Sequence, residues 1–600
     1  MPVIRAFWRE EIPPYQWNEG LITNIWKGKG DRERLENHRG ITVSSSIGLI
    51  AEEIINNRLL KTISFTQAQA GGRKGASPTN HIFILRNVME LAKAEGRNLI
   101  ISFFDVQKAF DRANMNDMLY ILHKNGLRGK IWRLTMALNK GLTARIKTKA
   151  GLTRQINRET GGKQGGKLMV PMFSKTMDTL AEDLSMDTSL GINLSDSSLP
   201  SLIFMDDVMS FAEGILQQNA TLNAINEFAE KHHIKWGINK CKVLEIGTHG
   251  EGTNQWKLGD NVIENCESYK YLGDIIQRNG KNDENLKSRI LRAKAAVRAI
   301  NTCGKSNVMK KIEMKFILKL HEAVTLSTLL SNAETWPLNK ASKNELDKME
   351  VWAWKSMIGL PMTTPTAAVM FATGALFASI RIEMKQLIYL HQVLQKDDDH
   401  LTKVSLQSIK EHNVGWARQI EETLVAWELE TDWDVIKSKS RNAWKKEVEE
   451  AAERLNKSAI KTHCIARKRG EEITKTKTKT IVPIIDDPHY SRKPQPFVFE
   501  NNKLITRAYI MGRYGMLKCA ANFSCGYGSK NCSECGVIDD EDHRINHCTL
   551  WQDRNLCRSD DKIDFNLIYS ENIHESIKVV EIILKLWDLG NGKNAMRTCP

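Results

Sequence analysis

Two short apolar runs in the first half of the chain end on acid. Leu99-Ile100-Ile101-Ser102-Phe103-Phe104 runs into Asp105, and Ser201-Leu202-Ile203-Phe204 is followed by Met205 and the pair Asp206-Asp207. Continuous runs this short, bounded by polar residues, predict buried strands rather than helices. Longer patterns with a helical period occupy Asn80 to Ala94 and Pro171 to Leu184. Together they predict an α+β domain, with helices packed on one antiparallel sheet.

The pattern changes at Lys281. Leu286, Ile290, Ala293, Val297 and Ile300 recur at steps of three and four, while Lys287, Lys294 and Arg298 line an adjacent face. Eleven Lys plus Arg stand against three Asp plus Glu between Lys281 and Leu320, so this helix is either a solvated face of a bundle or a track for a phosphate backbone. Helical patterns continue to about Gly470. The low-complexity stretch from Glu471 carries four prolines between Pro483 and Pro496 and predicts a linker. The expected organisation is 1–280, an α+β domain; 281–345 and 346–470, two helical regions; 471–496, a linker; and 497–600, a small tail.

Composition narrows the partners. A net charge of +15 favours a polyanion such as nucleic acid. The N-terminal residues show no apolar run of signal-peptide type, and the longest apolar stretch, Thr366 to Ile380, is too short for a membrane span and is broken by Gly374. An intracellular protein with no membrane partner is expected. Five of the eleven cysteines crowd between Cys519 and Cys548, which suggests metal binding rather than a dispersed disulfide framework.

Carboxylates delivered by two strands beside apolar runs are the oxygen donors that hard Mg²⁺ prefers. Two like charges in that setting carry a desolvation cost that bound cations would offset. A satisfied hairpin turn would also explain Asp206 and Asp207. Asp397-Asp398-Asp399 and Asp486-Asp487 lack flanking strand patterns and read as solvated acids.

The surrounding segments resemble reverse transcriptases. FFDVQKAFD resembles the first catalytic motif of that family and IFMDDVMSF its aromatic-x-Asp-Asp hairpin. The resemblance implies a right-hand polymerase of fingers, palm and thumb, with an antiparallel palm sheet. Asp105, Asp206 and Asp207 would hold two Mg²⁺ ions, and Phe110 would be the gate that excludes a ribose 2′-hydroxyl. NHRGITVSSSIGLIAEEIINNRL resembles the fingers motif, placing Arg39 at the incoming triphosphate with Lys27 and Lys29 nearby. QAGGRKGASPTNHIFIL implies a template or nucleotide contact for Arg73, and GGKQGGKLMVPMF implies that Gln164 and Gly165 line the nucleotide pocket. INKCKVLEIG, with Asn239 and Lys242, resembles the next palm motif, and Tyr271-Leu272-Gly273 the primer-grip hairpin. LLSNAETWPLNKASKNELDKMEVWAWKSMIG, with Trp336, resembles the region after the thumb in the polymerases of non-LTR retrotransposons. That family implies extension of a primer or target DNA 3′-end with dNTPs on a template RNA, in a nuclear or cytoplasmic ribonucleoprotein.

At the tail, Cys532, Cys535, His543 and Cys548 have spacings that can wrap a tetrahedral structural Zn²⁺, with His547 competing for the imidazole position. Non-LTR elements often end in a similar CCHC zinc-knuckle-like module. Met169, Val170, Met205 and Gly40 depart from the commoner family residues. No endonuclease pattern accompanies the polymerase motifs, so target nicking is expected to be absent, supplied by a separate partner endonuclease, or lost through truncation. A catalytically decayed nucleic-acid-binding remnant is the rival expectation.

Overall fold

The structure is a computed structural model. It describes residues 2–474, apart from 29, 74, 195–196, 248–254, 304–312 and 469–470, together with 506 and 510. The expected zinc ligands Cys532, Cys535, His543 and Cys548, as well as Lys29, lie outside the described residues. The described chain divides into two compact units, one of residues 1–282 with 396–419, the other of 283–395 with the residues from 420 onward.

At the centre of the first unit is a six-stranded sheet. Its strand order is Trp256–Leu258, Asn261–Asn265, Lys242–Ile246, Leu99–Asp105, Asp207–Ala212, Ser201–Phe204. Both aspartate-bearing runs are strands, and side-chain alternation gives the sheet two faces. On one, Phe104, Val208 and Val243 join Met172, Phe173, Leu222 and Phe228, contributed by the helices Met169–Met186 and Ile215–Lys231, in one apolar core. On the other, Phe103 stacks on Tyr269 with ring centroids 4.1 Å apart.

The single antiparallel sheet expected from the sequence is corrected in two ways. Within the six-stranded sheet, Lys242–Ile246 pairs in parallel with Asn261–Asn265. A second sheet is built on Glu19–Trp26, which pairs antiparallel with His38–Val43 and parallel with Thr143–Thr148. Its strands are half-exposed, so they lack the continuous apolar runs that revealed the others.

The helix Pro78–Ala94 starts from Ser77, whose hydroxyl accepts the Thr79 N–H at 3.1 Å, with proline at its first position. Nearly every residue from Asn80 to Ala92 is buried, which for a helix means cover on all sides. Part of that cover comes from the distant segment 396–419. Asn87 donates to Ser405 at 3.2 Å, and Phe83 meets Trp416 edge-to-face at 4.9 Å. Residues 396–419 therefore belong to the first unit and not to a separate helical region, a pairing no local pattern encodes.

The described residues of the second unit are mostly helical. Its first helix, Asp283–Cys303, buries Leu286, Ala293 and Val297, leaves Lys287 and Arg298 exposed, and sets Lys294 over the Trp352 ring. Trp336 is wholly buried, which makes it a packing residue. Thr366–Thr373 and Ala378–Leu394 form a bent pair around left-handed Gly374, and most of their residues are buried. No single helix among the described residues is long and apolar enough to cross a membrane. The helical region ends at Cys464, short of the expected Gly470. Ile465–Lys468 then pairs with Glu471–Thr474, so the expected linker begins as a strand.

Candidate active site

Three aspartates meet at one end of the six-stranded sheet. In the antiparallel pairing of Leu99–Asp105 with Asp207–Ala212, Asp207 stands directly opposite Asp105, which puts their Cα atoms about 4.5–5.5 Å apart. Asp207 also pairs with Phe204 across the hairpin, leaving Met205 and Asp206 as a two-residue loop. Alternation places Asp105 and Asp207 on the Phe103 face, beside the Tyr269 and Tyr271 hairpin.

The electrostatics disfavour negative charge on these carboxyls. Burial pushes the Asp207 carboxyl up to about 7, and the charges of Asp206 and Asp105 push the same way, against Lys240. Burial also raises Asp206, with Asp105 adding to it and Lys240 and Arg39 opposing. Arg39, exposed on its strand, thus lies close enough for its charge to act on Asp206.

Hard oxygen donors held at adjacent strand positions suit Mg²⁺. The carboxylates have not converged, however. Among the described residues no three His, Cys, Asp or Glu side chains form a ready-made metal cluster. Instead Lys240 Nζ lies 2.6 Å from Asp105 Oδ2 and supplies the positive charge.

The motif that holds Lys242 gives no sign of Lys240, yet it is Lys240 that meets Asp105. Lys240 ends the short turn Ile238–Lys240, which the Asp105 carbonyl ties down by accepting the Gly237 N–H at 2.8 Å. Lys242 opens the next strand and pairs with Glu264. Asn239, exposed between them, bonds neither. Only the break between turn and strand distinguishes the two lysines, and the sequence pattern does not mark it. Lys240→Ala is expected to tighten divalent-cation binding about threefold by removing a competitor for Asp105, while Lys242→Ala leaves it unchanged. Calorimetric titration with Mg²⁺ or Mn²⁺ decides, and an equal shift in both variants would refute the assignment.

Phe110, Gln164 and Gly165 line a cavity of about 400 Å³ together with Met169 and Val170 among others, and Arg73, Lys27 and the Tyr271 hairpin are not part of its lining. Phe110 follows left-handed Lys108 and rests against Phe173 at 5.6 Å. The loop bearing Gln164 is anchored by a buried ion pair, Lys163 Nζ to Glu52 Oε1 at 3.0 Å, and by Glu52 accepting the Lys167 N–H at 2.7 Å. The Gln164 carbonyl accepts the Thr42 N–H at 2.9 Å, joining this loop to the second sheet. Gly165 sits at φ 122°, where a Cβ would come within 3.1 Å of the Thr42 carbonyl. Arg73 braces its own loop, donating to the carbonyls of Thr66 at 2.6 Å and Gln69 at 2.9 Å. Lys27 donates to the Glu36 carbonyl at 2.8 Å. In the Tyr271 hairpin, Leu272 and Gly273 both take positive φ, the mark of a tight type I′ turn.

Residues 27–276 match the family described as reverse transcriptase (RNA-dependent DNA polymerase). The chain is 23% identical over 276 residues to the retrovirus-related Pol polyprotein from type-1 retrotransposable element R2 of Popillia japonica, covering 44% of this chain and 39% of that protein. It is 22% identical over 275 residues to the RNA-directed DNA polymerase from mobile element jockey of Drosophila melanogaster, covering 44% and 29%. The match thus spans well under half the length of either relative. Among solved structures, telomerase from Candida albicans in complex with a TWJ fragment of telomeric RNA is similar at 12% identity and a TM-score of 0.35, over 71% of this chain and 65% of that one. Apo telomerase from Candida tropicalis is similar at 14% and 0.34, over 74% and 73%. Residues 27–276, which contain all three aspartates and the cavity, match the reverse transcriptase family, and this part of the chain is similar to the polymerases of retrotransposable element R2 and mobile element jockey.

Proposed function

We propose that the chain is an RNA-directed DNA polymerase of a non-LTR retrotransposon, extending a DNA 3′-end on an RNA template. The observation that carries this reading is the pairing of Asp105 with Asp207 beside Asp206, inside the matched domain. Two Mg²⁺ ions, when bound, would activate the attacking 3′-hydroxyl and neutralise the departing pyrophosphate. Asp105, Asp206 and Asp207 would hold them, Asp105 exchanging its contact with Lys240 for metal. Arg39 would meet the triphosphate, Phe110 would press against the sugar, and Gln164 with Gly165 would form the wall of the nucleotide pocket.

The exposed Lys287 and Arg298 suit a phosphate backbone. In the tail, Cys532, Cys535, His543 and Cys548 would hold a structural Zn²⁺ that helps grip RNA. A partner endonuclease would supply the nicked target.

The intact aspartate set favours activity over a decayed remnant. Primer extension on an RNA template is expected for the wild type with Mg²⁺ and dNTPs, and is expected to vanish in Asp206→Ala. A wild type that gives no Mg²⁺-dependent product above this variant would overturn the polymerase reading.

A further inference from the structure

The two-residue loop that carries Asp206 is built against the preferences of its residues. A hairpin loop with positive φ at its first position normally has glycine there. Here Met205 occupies it at φ 58°, a conformation that disfavours any side chain bearing a Cβ. Something outside the hairpin must hold it there.

The buried side chain of Gln69 makes the contact. Its Oε1 accepts the Met205 N–H at 3.2 Å and the Gly71 N–H at 2.7 Å, while its Nε2 donates to the Ser174 carbonyl at 3.1 Å. The flanking backbone runs beside the outer hairpin strand: the Ala70 N–H donates to the Ile203 carbonyl at 2.9 Å, and the Ile203 N–H to the Ala68 carbonyl at 2.8 Å. Gly71 allows this approach, since a Cβ there would lie 2.3 Å from the Met205 nitrogen. Arg73 closes the arrangement by donating to the Gln69 carbonyl.

We infer that Gln69 is a positioning residue for nucleotidyl transfer, clamping the Met205 peptide in its left-handed conformation so that the adjoining Asp206 carboxylate is presented for metal binding. This inference rests on the polymerase reading, which supplies the reaction. The clamp itself exists without metal or substrate.

The test uses Gln69→Asn, which stays polar in a buried site but is too short to reach Met205. In the wild-type protein without metal, the Met205 amide is expected to resist hydrogen exchange as a hydrogen-bonded amide does, although it sits in a two-residue loop. In Gln69→Asn it is expected to exchange about tenfold faster, with the amides of Leu99–Asp105 unchanged. Under the same change kcat for primer extension falls about tenfold and KM for dNTP stays constant. Adding Met205→Gly to the Gln69→Asn background is expected to recover most of the lost kcat, because glycine takes positive φ unaided. A purely structural glutamine would give no such rescue.

Wild-type protection of Met205 no better than a free loop amide would overturn the clamp, and this measurement needs no variant. Equal exchange and equal kcat in Gln69→Asn and wild type would also overturn it. So would a double variant no better than Gln69→Asn alone. An inactive wild type would instead sink the polymerase reading, leaving exchange at Met205 to judge the clamp.

Discussion

Replacing Asp207 by asparagine is expected to lower RNA-templated primer extension at least about 100-fold, while making the metal-free protein more stable at pH 8. Both effects come from one feature. Asp207 faces Asp105 across the strand pair and adjoins Asp206, and burial with this crowding lifts its carboxyl from 3.8 to about 7. Between those values the folded chain keeps a proton that the unfolded chain has released. The group's favourable contribution is therefore full below about pH 4 and is lost as pH rises through 7. Asparagine escapes that loss, so its advantage in melting temperature should grow from pH 4 to 7 and then level off, reaching a few degrees, about 2–4 °C. Mg²⁺ should erase the advantage by stabilising only the wild type. Melting curves across pH, with and without Mg²⁺, provide the check. An asparagine variant that melts below the metal-free wild type at pH 8 would contradict the crowded-carboxylate account.

Phe110→Val is expected to raise ribonucleotide incorporation relative to deoxyribonucleotide by about 10–200-fold, the range that a small change in pocket volume commands. Phe110 lines the cavity with Gln164 and Gly165, and its ring is supported by Phe173 at 5.6 Å. A supported ring is a rigid wall, and rigidity is what exclusion of a single hydroxyl requires. Competition between matched rNTP and dNTP on one template measures the ratio. An unchanged ratio would reassign Phe110 to the core.

What could be read in advance follows from how far each signal travels along the chain. The strands Leu99–Asp105 and Ser201–Phe204 announce themselves because each is buried on both faces and so is apolar without a break. The second sheet is half-exposed and leaves no such trace. Asp105, Asp206 and Asp207 were legible because strand ends fix them locally. Lys240 was not, because Lys240 and Lys242 differ only in lying on opposite sides of the transition from turn to strand. Gln69 was less visible still: its partners Met205 and Ser174 are more than a hundred residues away, and a buried glutamine has no periodic signature.

The return of residues 396–419 to the first unit has a consequence in time. During synthesis the helix Pro78–Ala94 emerges long before Ser405 and Trp416, which help to cover it, and the intervening segment 283–395 takes roughly ten seconds to be made. Through that interval the nascent domain carries a helix that lacks part of its cover beside the strands that bear the aspartates. Its folding on the ribosome is thereby coupled to the completion of residues that stand far outside the polymerase motifs.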